Sequence, residues 1–423
     1  MSENSEVRIL VLGSNPETLE IVRVANLEGY KTFVVNPIMN SPAKKLASVS
    51  YEADPKNPDE IDEIIYREKI NAVILGVSDP LLPFYQEICE RHKFPCYANK
   101  ESVRIFSSKS EFSKYCQLFG IKPVPTFDPS EITSLSDESN MFPVVVKPID
   151  SGAAVGISLC NNQREFKRGI DFALEKSIAK KVIVEKYMDC DDLFAYFTII
   201  NGKANLSMLA DRHKSTKTGT FNSVCLFANY PSEHLTTFLE NENSKFIKMI
   251  ESLQIDIGIL GVQLFYDGKN FHAYDPGFRI QGEGPHFYLQ GIYEYDQLKM
   301  LLEFAIKGNI SDVLAEFNSD PALAGYVART IWILGKPGIV SKIIGLEEII
   351  EKANVLKILN RFLPGDELSE DMIGTERQVL MRIYTFAKSE IELDEITHYI
   401  SETVQVIDCE GISLISDLYI PFK

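Results

Sequence analysis

After a polar start, the apolar run Val7-Arg8-Ile9-Leu10-Val11-Leu12-Gly13 predicts a buried strand that ends in a turn. Leu19, Ile21, Val22 and Ala25 follow at helical spacing, and Gly29 supplies a C-terminal cap. Thr32-Phe33-Val34-Val35 is a second strand, ending at Asn36-Pro37. Residues 61–65 read as helix, and Ala72-Val73-Ile74-Leu75 as a third strand ending at Gly76. Strand, helix, strand, helix, strand predicts a parallel sheet with helices on its faces.

The pattern then changes. Residues 100–122 read as a helical stretch closing at Gly120. Pro123, Pro125 and the polar run 128–140 make a linker. Val144-Val145-Val146 and Val182-Ile183-Val184 are strands on either side of a helix. Runs 193–200 and 204–209 flank Asn201-Gly202, a strong hairpin signal, and 262–266 and 271–274 flank Asp267-Gly268. From about residue 297 the chain is helical, then mixed, ending in a strand at 411–415. The fold class is therefore α/β plus α+β, with no internal repeat.

Composition narrows the functions. The 423 residues carry 43 basic and 60 acidic side chains, a net charge of −17, which argues against a nucleic-acid partner. An apolar fraction of 45% is that of an ordinary folded protein, and the length suggests two to four domains. No run approaches a membrane span and no signal-peptide stretch opens the chain, so the expectation is a cytoplasmic protein without a membrane partner. The seven cysteines are widely spaced without Cys-x-x-Cys, so reduced packing cysteines are expected rather than zinc or disulfides.

Four places carry candidate chemistry. The first turn, Gly13-Ser14-Asn15-Pro16, has one glycine, not the three of a dinucleotide fingerprint; Asn15 and Asp79 sit at strand ends, where they either touch a substrate or cap helices. Lys147 ends a buried strand and is followed by Asp150-Ser151-Gly152-Ala153-Ala154-Val155-Gly156. Small residues and a nearby cation suit an anion, though a solvated lysine beside a plain turn has the same pattern. Glu185-Lys186-Tyr187-Met188 follows a strand like a hinge whose backbone can pair with a purine edge, and Asp192 can accept ribose hydroxyls; a strand simply entering solvent is the alternative. Gln263 and Asp275 face each other across a tight hairpin, and two oxygen donors suit Mg²⁺. Arg279, Gln281 and Glu283 alternate beyond them, so an extended segment would point all three one way. His213 beside Arg212 and Lys214 either lines the cleft or lies on the surface, and His286 is a weaker candidate. His92, His234 and His398 read as solvated or capping, and Trp332 as core.

The order of these pieces resembles the ATP-grasp superfamily, in particular its carbamoyl-phosphate-synthase-like and biotin-carboxylase-like members. The likeness runs from about Ile9 to residue 310. Gly29-Tyr30, Val35-Asn36-Pro37 and Pro42-Ala43 are similar to the family's preceding domain. Ser108-Lys109 with Gly120-Ile121 and Pro125 is similar to its Asp-Lys … Gly-Ile-Pro-x-Pro segment. Phe142-Pro143-Val144-Val145-Val146-Lys147-Pro148 is similar to its second nucleotide lysine, and Ser151 to Gly156 to the loop over the phosphates. Val184-Glu185-Lys186-Tyr187 is similar to the adenine hinge, and Asp192 stands where a ribose-binding glutamate is usual.

The resemblance implies a parallel-sheet pre-ATP-grasp domain over 1–98, a two-lobed ATP-grasp unit over 99–308 and a mixed C-terminal lobe over 309–423. It implies ATP with Mg²⁺, or Mn²⁺ in its place, and phosphorylation of a small carboxylate to an acyl phosphate that an amine then attacks. Lys109, Lys147, Ser151, Gly152, Gly156, Glu185, Lys186, Tyr187, Met188 and Asp192 would hold the nucleotide. Gln263 and Asp275 would hold the metal, and Arg279 and Glu283 would be catalytic. A homodimer is compatible with this picture.

There are departures. Asp275 is shorter than the usual glutamate, Gly277 replaces an asparagine, and Ser108 replaces an aspartate. Arg279-Ile280-Gln281-Gly282-Glu283-Gly284-Pro285 is also similar to the bicarbonate-holding stretch of biotin carboxylases, with glycine for histidine at 284. The leading expectation is thus a carboxylate–amine ligase. A bicarbonate-dependent carboxylase, or a nucleotide-binding regulatory module without catalysis, stand behind it. Loops 212–232 and 282–296 would set the substrates.

Overall fold

A computed structural model describes residues 6–39, 41–133, 141–149, 155–215, 224–352 and 354–421. The N-terminal sheet has four parallel strands, β1 (Arg8–Leu12), β2 (Lys31–Val35), β3 (Val49–Tyr51) and β4 (Ala72–Leu75), in the order β3-β2-β1-β4. All four residues of β4 and the last four of β1 are buried, as expected for strands covered on both faces. Short β3, which the hydrophobic pattern did not show, closes one edge.

The expected helix over 100–122 is two helices, Lys100–Phe106 and Lys109–Leu118. Ser108 makes the break. Its backbone is extended, and its hydroxyl accepts from the Glu111 amide as an N-cap. Lys109 is thereby the first residue of the second helix. β5 (Lys122–Pro123), β6 (Thr126–Phe127) and the helix Pro129–Thr133 follow where a linker was expected, and 134–140 lie outside the described residues.

A small antiparallel sheet, in the order β6-β9-β7-β8, comprises β6, β7 (Val144–Pro148), β8 (Ser158–Cys160) and β9 (Val182–Lys186). The helix Gln163–Lys176 covers it, burying Phe166 and Ala173. Below lies a sheet of ten strands. Its middle contains β10 (Asp191–Ile200), β11 (Lys203–Lys214), β12 (Cys225–Tyr230), β13 (Ile257–Tyr266) and β14 (Phe271–Phe278). Both expected hairpins are present, with Asn201 and Gly202 at positive φ in the first turn.

The C-terminal third forms two small two-stranded sheets, Gly338–Ile339 with Glu367–Leu368 and Lys342–Ile344 with Gln405–Ile407, but its longer strands join the large sheet. β15 (Val327–Gly335) pairs with β12, Val379–Ala387 pairs with β15, and Val355–Asn360 closes the edge, so these strands extend the same large sheet. Trp332 is fully buried there. All seven cysteines are free, and no helix among the described residues is long and apolar enough to cross a membrane.

Phe278, the last residue of β14, packs its ring 5.3 Å from Tyr97 and 5.2 Å from Phe106, tying the central sheet to the segment before it. Phe278→Ala should cost about 3–5 kcal/mol of stability through the cavity it leaves. Urea unfolding followed by Trp332 fluorescence checks this. A loss below about 1 kcal/mol would show that the ring is not a structural link.

Candidate active site

A cleft of about 1150 Å³ runs between the small sheet, the large sheet and the loops of the N-terminal sheet. That exceeds the volume of a typical small-ligand pocket and leaves room for a nucleotide and a second substrate. Asn15, Asp79, Lys109, Lys147, Glu185–Met188, Asp192, Arg212, Gln263, Asp275, Arg279, Gln281 and Glu283 all line it.

At one end, Lys147 leaves β7 and meets Glu185 of β9, its Nζ 2.6 Å from the carboxylate. Both side chains are buried. Burial pushes the Lys147 ammonium below its ordinary range, while Glu185 pulls it back up. Glu185 thus turns its side chain to the lysine. In the hinge, the Lys186 and Tyr187 amides donate to the Pro125 and Pro143 carbonyls. Among the described residues the Met188 amide has no backbone partner. Asp192 is buried between Lys214 at 2.7 Å, Arg212 at 3.4 Å and the Tyr274 hydroxyl at 3.3 Å.

In the middle, Gln263 and Asp275 are direct cross-strand partners on β13 and β14. Lys109 Nζ sits 3.2 Å from the Asp275 carboxylate. Burial lowers the Lys109 ammonium, but Asp275 and Glu185 outweigh it and hold the group above its ordinary value. One carboxylate and one amide oxygen, side by side and open to the cleft, fit a hard cation that completes its shell with phosphate and water. Gly277 offers no further ligand; a Cβ there would lie 3.2 Å from Gln281 Oε1 and 3.3 Å from Asp79 Oδ1, so a side chain would be crowded by both. Among the described residues no three His, Cys, Asp or Glu side chains converge on a metal position.

At the other end, the segment after β14 is a turn, not an extended strand, so the expected alternation fails. Arg279 is 2.5 Å from Asp79 and leaves a buried Nε–H without a partner among the described residues. Gln281 folds back, donating to the Gly277 carbonyl at 2.7 Å and the Arg279 carbonyl at 2.6 Å, and so braces the turn instead of offering itself to a ligand. Glu283 meets Arg212 at 3.0 Å and accepts from the Tyr196 hydroxyl at 2.8 Å. Burial raises its carboxyl above the ordinary range, against the pull of Arg212.

Sequence reasoning missed several wall residues. Glu17, in the first turn of the N-terminal sheet, bonds Arg382 at 2.5 Å and lies 3.5 Å from Arg361; Arg382 also meets Glu376 at 2.9 Å. Nothing local in the sequence joins residue 17 to residue 382. Arg212 was noticed only as a neighbour of His213.

The remaining candidates separate. His213 lines the cleft, its ring stacked 4.2 Å from Phe227. His286 is buried away from it, and burial pushes its imidazole down to about 3. Gly156 does not line the cleft; its positive φ and the closeness of Pro148 demand a residue without a side chain. Ser151 and Gly152, with the rest of 150–154, lie outside the described residues, as do 216–223 of the expected substrate loop.

Comparison with known proteins agrees with this architecture. Residues 122–224 match the family model described as the D-ala D-ala ligase C-terminus. A formate-dependent phosphoribosylglycinamide formyltransferase of a Nitratiruptor species is 26% identical over 274 residues, 64% of this chain and 69% of that protein. Among solved structures, an L-amino acid ligase from Bacillus licheniformis superposes with a TM-score of 0.74 at 17% identity, covering 96% of this chain and all of that one. The biotin carboxylase domain of Hydrogenobacter thermophilus 2-oxoglutarate carboxylase, solved with MgADP and bicarbonate, gives 0.76 at 14% identity, covering 96% of this chain and 91% of that one. A nucleotide-sized cleft walled by two sheets and holding Lys109 and Lys147 agrees with the fold of these solved structures and with the ligase-family match over residues 122–224.

Proposed function

We propose that this protein is an ATP-dependent carboxylate–amine ligase that releases ADP and phosphate. One observation carries the reading. Lys147 pairs with Glu185 and Lys109 with Asp275, while Arg279, with its unpartnered Nε–H, pairs with Asp79 in the same cleft. Phosphoryl transfer to a carboxylate is favoured by cations at the phosphates, and a guanidinium suits the carboxylate that accepts the group.

In this reading the hinge 185–188 faces the base, Asp192 faces the ribose, and Lys147 and Lys109 hold the phosphates. Asp275 and Gln263 would hold Mg²⁺, or Mn²⁺, which when bound supplies charge neutralisation at the phosphates. Arg279 exchanges Asp79 for the substrate carboxylate and aims its oxygen. Glu283 holds the incoming ammonium and takes the proton it loses when nitrogen attacks the acyl phosphate. The walls exclude water from that intermediate.

The acceptor end is charge-balanced, with Glu17, Asp79, Glu283 and Glu376 facing Arg212, Arg279, Arg361 and Arg382. Adding a phosphate there would leave buried charge uncompensated. A net-neutral amine, such as an amino acid, suits it better than a phosphorylated one. Residues 1–98 precede the nucleotide unit 99–308, and 309–423 complete its sheet. A cytoplasmic location and a homodimer belong to the same reading.

The carboxylase reading has one observation in its favour: a buried Glu283 carboxyl raised above its usual range is suited to a base. ADP release separates the two. A ligase activates a carboxylate that is already ionised, so ADP release with amino-acid and carboxylate mixtures should not need added bicarbonate, and Glu283→Gln should retain about a tenth of the activity. Bicarbonate-dependent ATP cleavage in degassed buffer that Glu283→Gln abolishes would overturn the ligase reading.

Two further outcomes follow from the nucleotide end. Lys147→Ala should weaken Mg-ATP binding at least about tenfold, or roughly 1.4 kcal/mol, and unchanged affinity by calorimetry would remove Lys147 from the site. Asp275→Asn removes the only formal negative charge of the Gln263–Asp275 pair. It should abolish turnover and leave the fold intact, with a lowered melting temperature because Lys109 loses its paired carboxylate, and a variant with normal ADP release would make Asp275 structural.

A further inference from the structure

One buried arginine in the cleft has no part in the steps above. Arg212 lies on β11 directly opposite Asp192 of β10. Its terminal nitrogens go to different carboxylates, Nη1 to Asp192 at 3.4 Å and Nη2 to Glu283 at 3.0 Å. The guanidinium packs over the Phe194 ring, 5.6 Å from its centre, and its side chain is only 7% exposed.

The two carboxylates depend on it unequally. Asp192 keeps Lys214 at 2.7 Å and the Tyr274 hydroxyl if Arg212 is removed. Among the described residues Glu283 keeps only the neutral Tyr196 hydroxyl. A rigid planar fork can span both groups, whereas a lysine reaches one.

We propose that Arg212 is a positioning residue: anchored on Asp192, it holds the Glu283 carboxylate in place, charged and turned into the acceptor end of the cleft. The inference rests on the ligase reading for what Glu283 does, but not for the pairing itself.

The surroundings of Glu283 give it no substitute. Tyr196 of β10, Cys225 and Tyr230 of β12, Tyr274 of β14 and Tyr384 of the strand Val379–Ala387 face it as neutral groups, all pushed upward by burial. Glu376 is a like charge that favours the protonated form, and Arg382 is already engaged by Glu17 and Glu376. Burial therefore drives the carboxyl toward protonation, and Arg212 is the strongest influence opposing it. Removing Arg212 takes away the strongest influence that favours the ionised form, so the Glu283 carboxyl moves further toward protonation.

The test uses Arg212→Gln, Glu283→Gln and the double variant in the full chain. In ligand-free protein at neutral pH, Arg212→Gln should show an infrared band of a protonated carboxyl that is absent from both the parent and the double variant. Mg-ATP affinity by calorimetry should stay within about threefold, because Asp192 keeps Lys214, while kcat falls about tenfold and recovers toward alkaline pH. Glu283→Gln should fall as far without recovery, and the double variant should be no worse than either single change. Absence of the band together with a pH-independent loss of kcat would overturn the proposal. If Arg212→Gln does not fold, Arg212→Lys carries the test. It retains the cation, so it should show no band and a kcat above that of Glu283→Gln; a band, or a kcat as low, would overturn the proposal. Failure of Mg-ATP to bind the parent protein would instead remove the ligase reading and leave the infrared result standing.

Discussion

Side chains of an antiparallel pair alternate between faces, so one extra residue in one strand exchanges the faces of everything beyond it. Two such insertions determine what lines this cleft. In the hairpin turning at Asn201-Gly202, Phe197 pairs with Leu206 but Tyr196 pairs with Met208, leaving Ser207 as the extra residue. Beyond it Arg212, not Asp211, stands opposite Asp192. In the next hairpin, Leu264 pairs with Ala273 but Gln263 pairs with Asp275, with Tyr274 left over. Without that bulge Gln263 would oppose a tyrosine. The Asp192–Arg212 pair and the Gln263–Asp275 pair thus share one origin, a local slip of register on either side of the central strands.

Once charges are brought into such a wall, burial sets the terms. Lys147 with Glu185, Lys109 with Asp275, Arg279 with Asp79 and Arg382 with Glu17 are each paired within hydrogen-bond reach or close to it. An unpaired buried charge is costly, while an exchange of partners is not. In the proposed function each pair would be preorganised: a phosphate would replace a carboxylate on a lysine, and a substrate carboxylate would replace Asp79 on Arg279. The protein's own carboxylates balance these cations in the cleft.

Much of this was legible in the sequence. The parallel sheet followed from buried apolar runs ended by glycine and proline, and both hairpins from Asn-Gly and Asp-Gly turns. The ATP-grasp reading came from motif order, which the fold supports. Three things were not legible. The helix over 100–122 concealed a break because Ser108 suits a helix surface as well as an N-cap. The segment after β14 looked extended because polar and apolar residues alternate there, yet it turns, and Gln281 spends its amide on backbone carbonyls. The far wall, Glu17 with Arg361, Glu376 and Arg382, joins residues hundreds of positions apart, and only tertiary structure brings them together.

The continuity of the large sheet has a consequence for synthesis on the ribosome. β12 has its outer partner only when β15 arrives, about a hundred residues later, and β15 in turn waits for Val379–Ala387. A nascent chain that already holds Lys109, Lys147 and Asp275 therefore presents an open sheet edge and lacks the wall that Arg382 completes. Exposed edges of this kind recruit other strands. The growing chain passes through a stage in which the strands around Lys109, Lys147 and Asp275 can pair while the wall of Arg361, Glu376 and Arg382 has not yet been made, and the edge of β12 is then exposed.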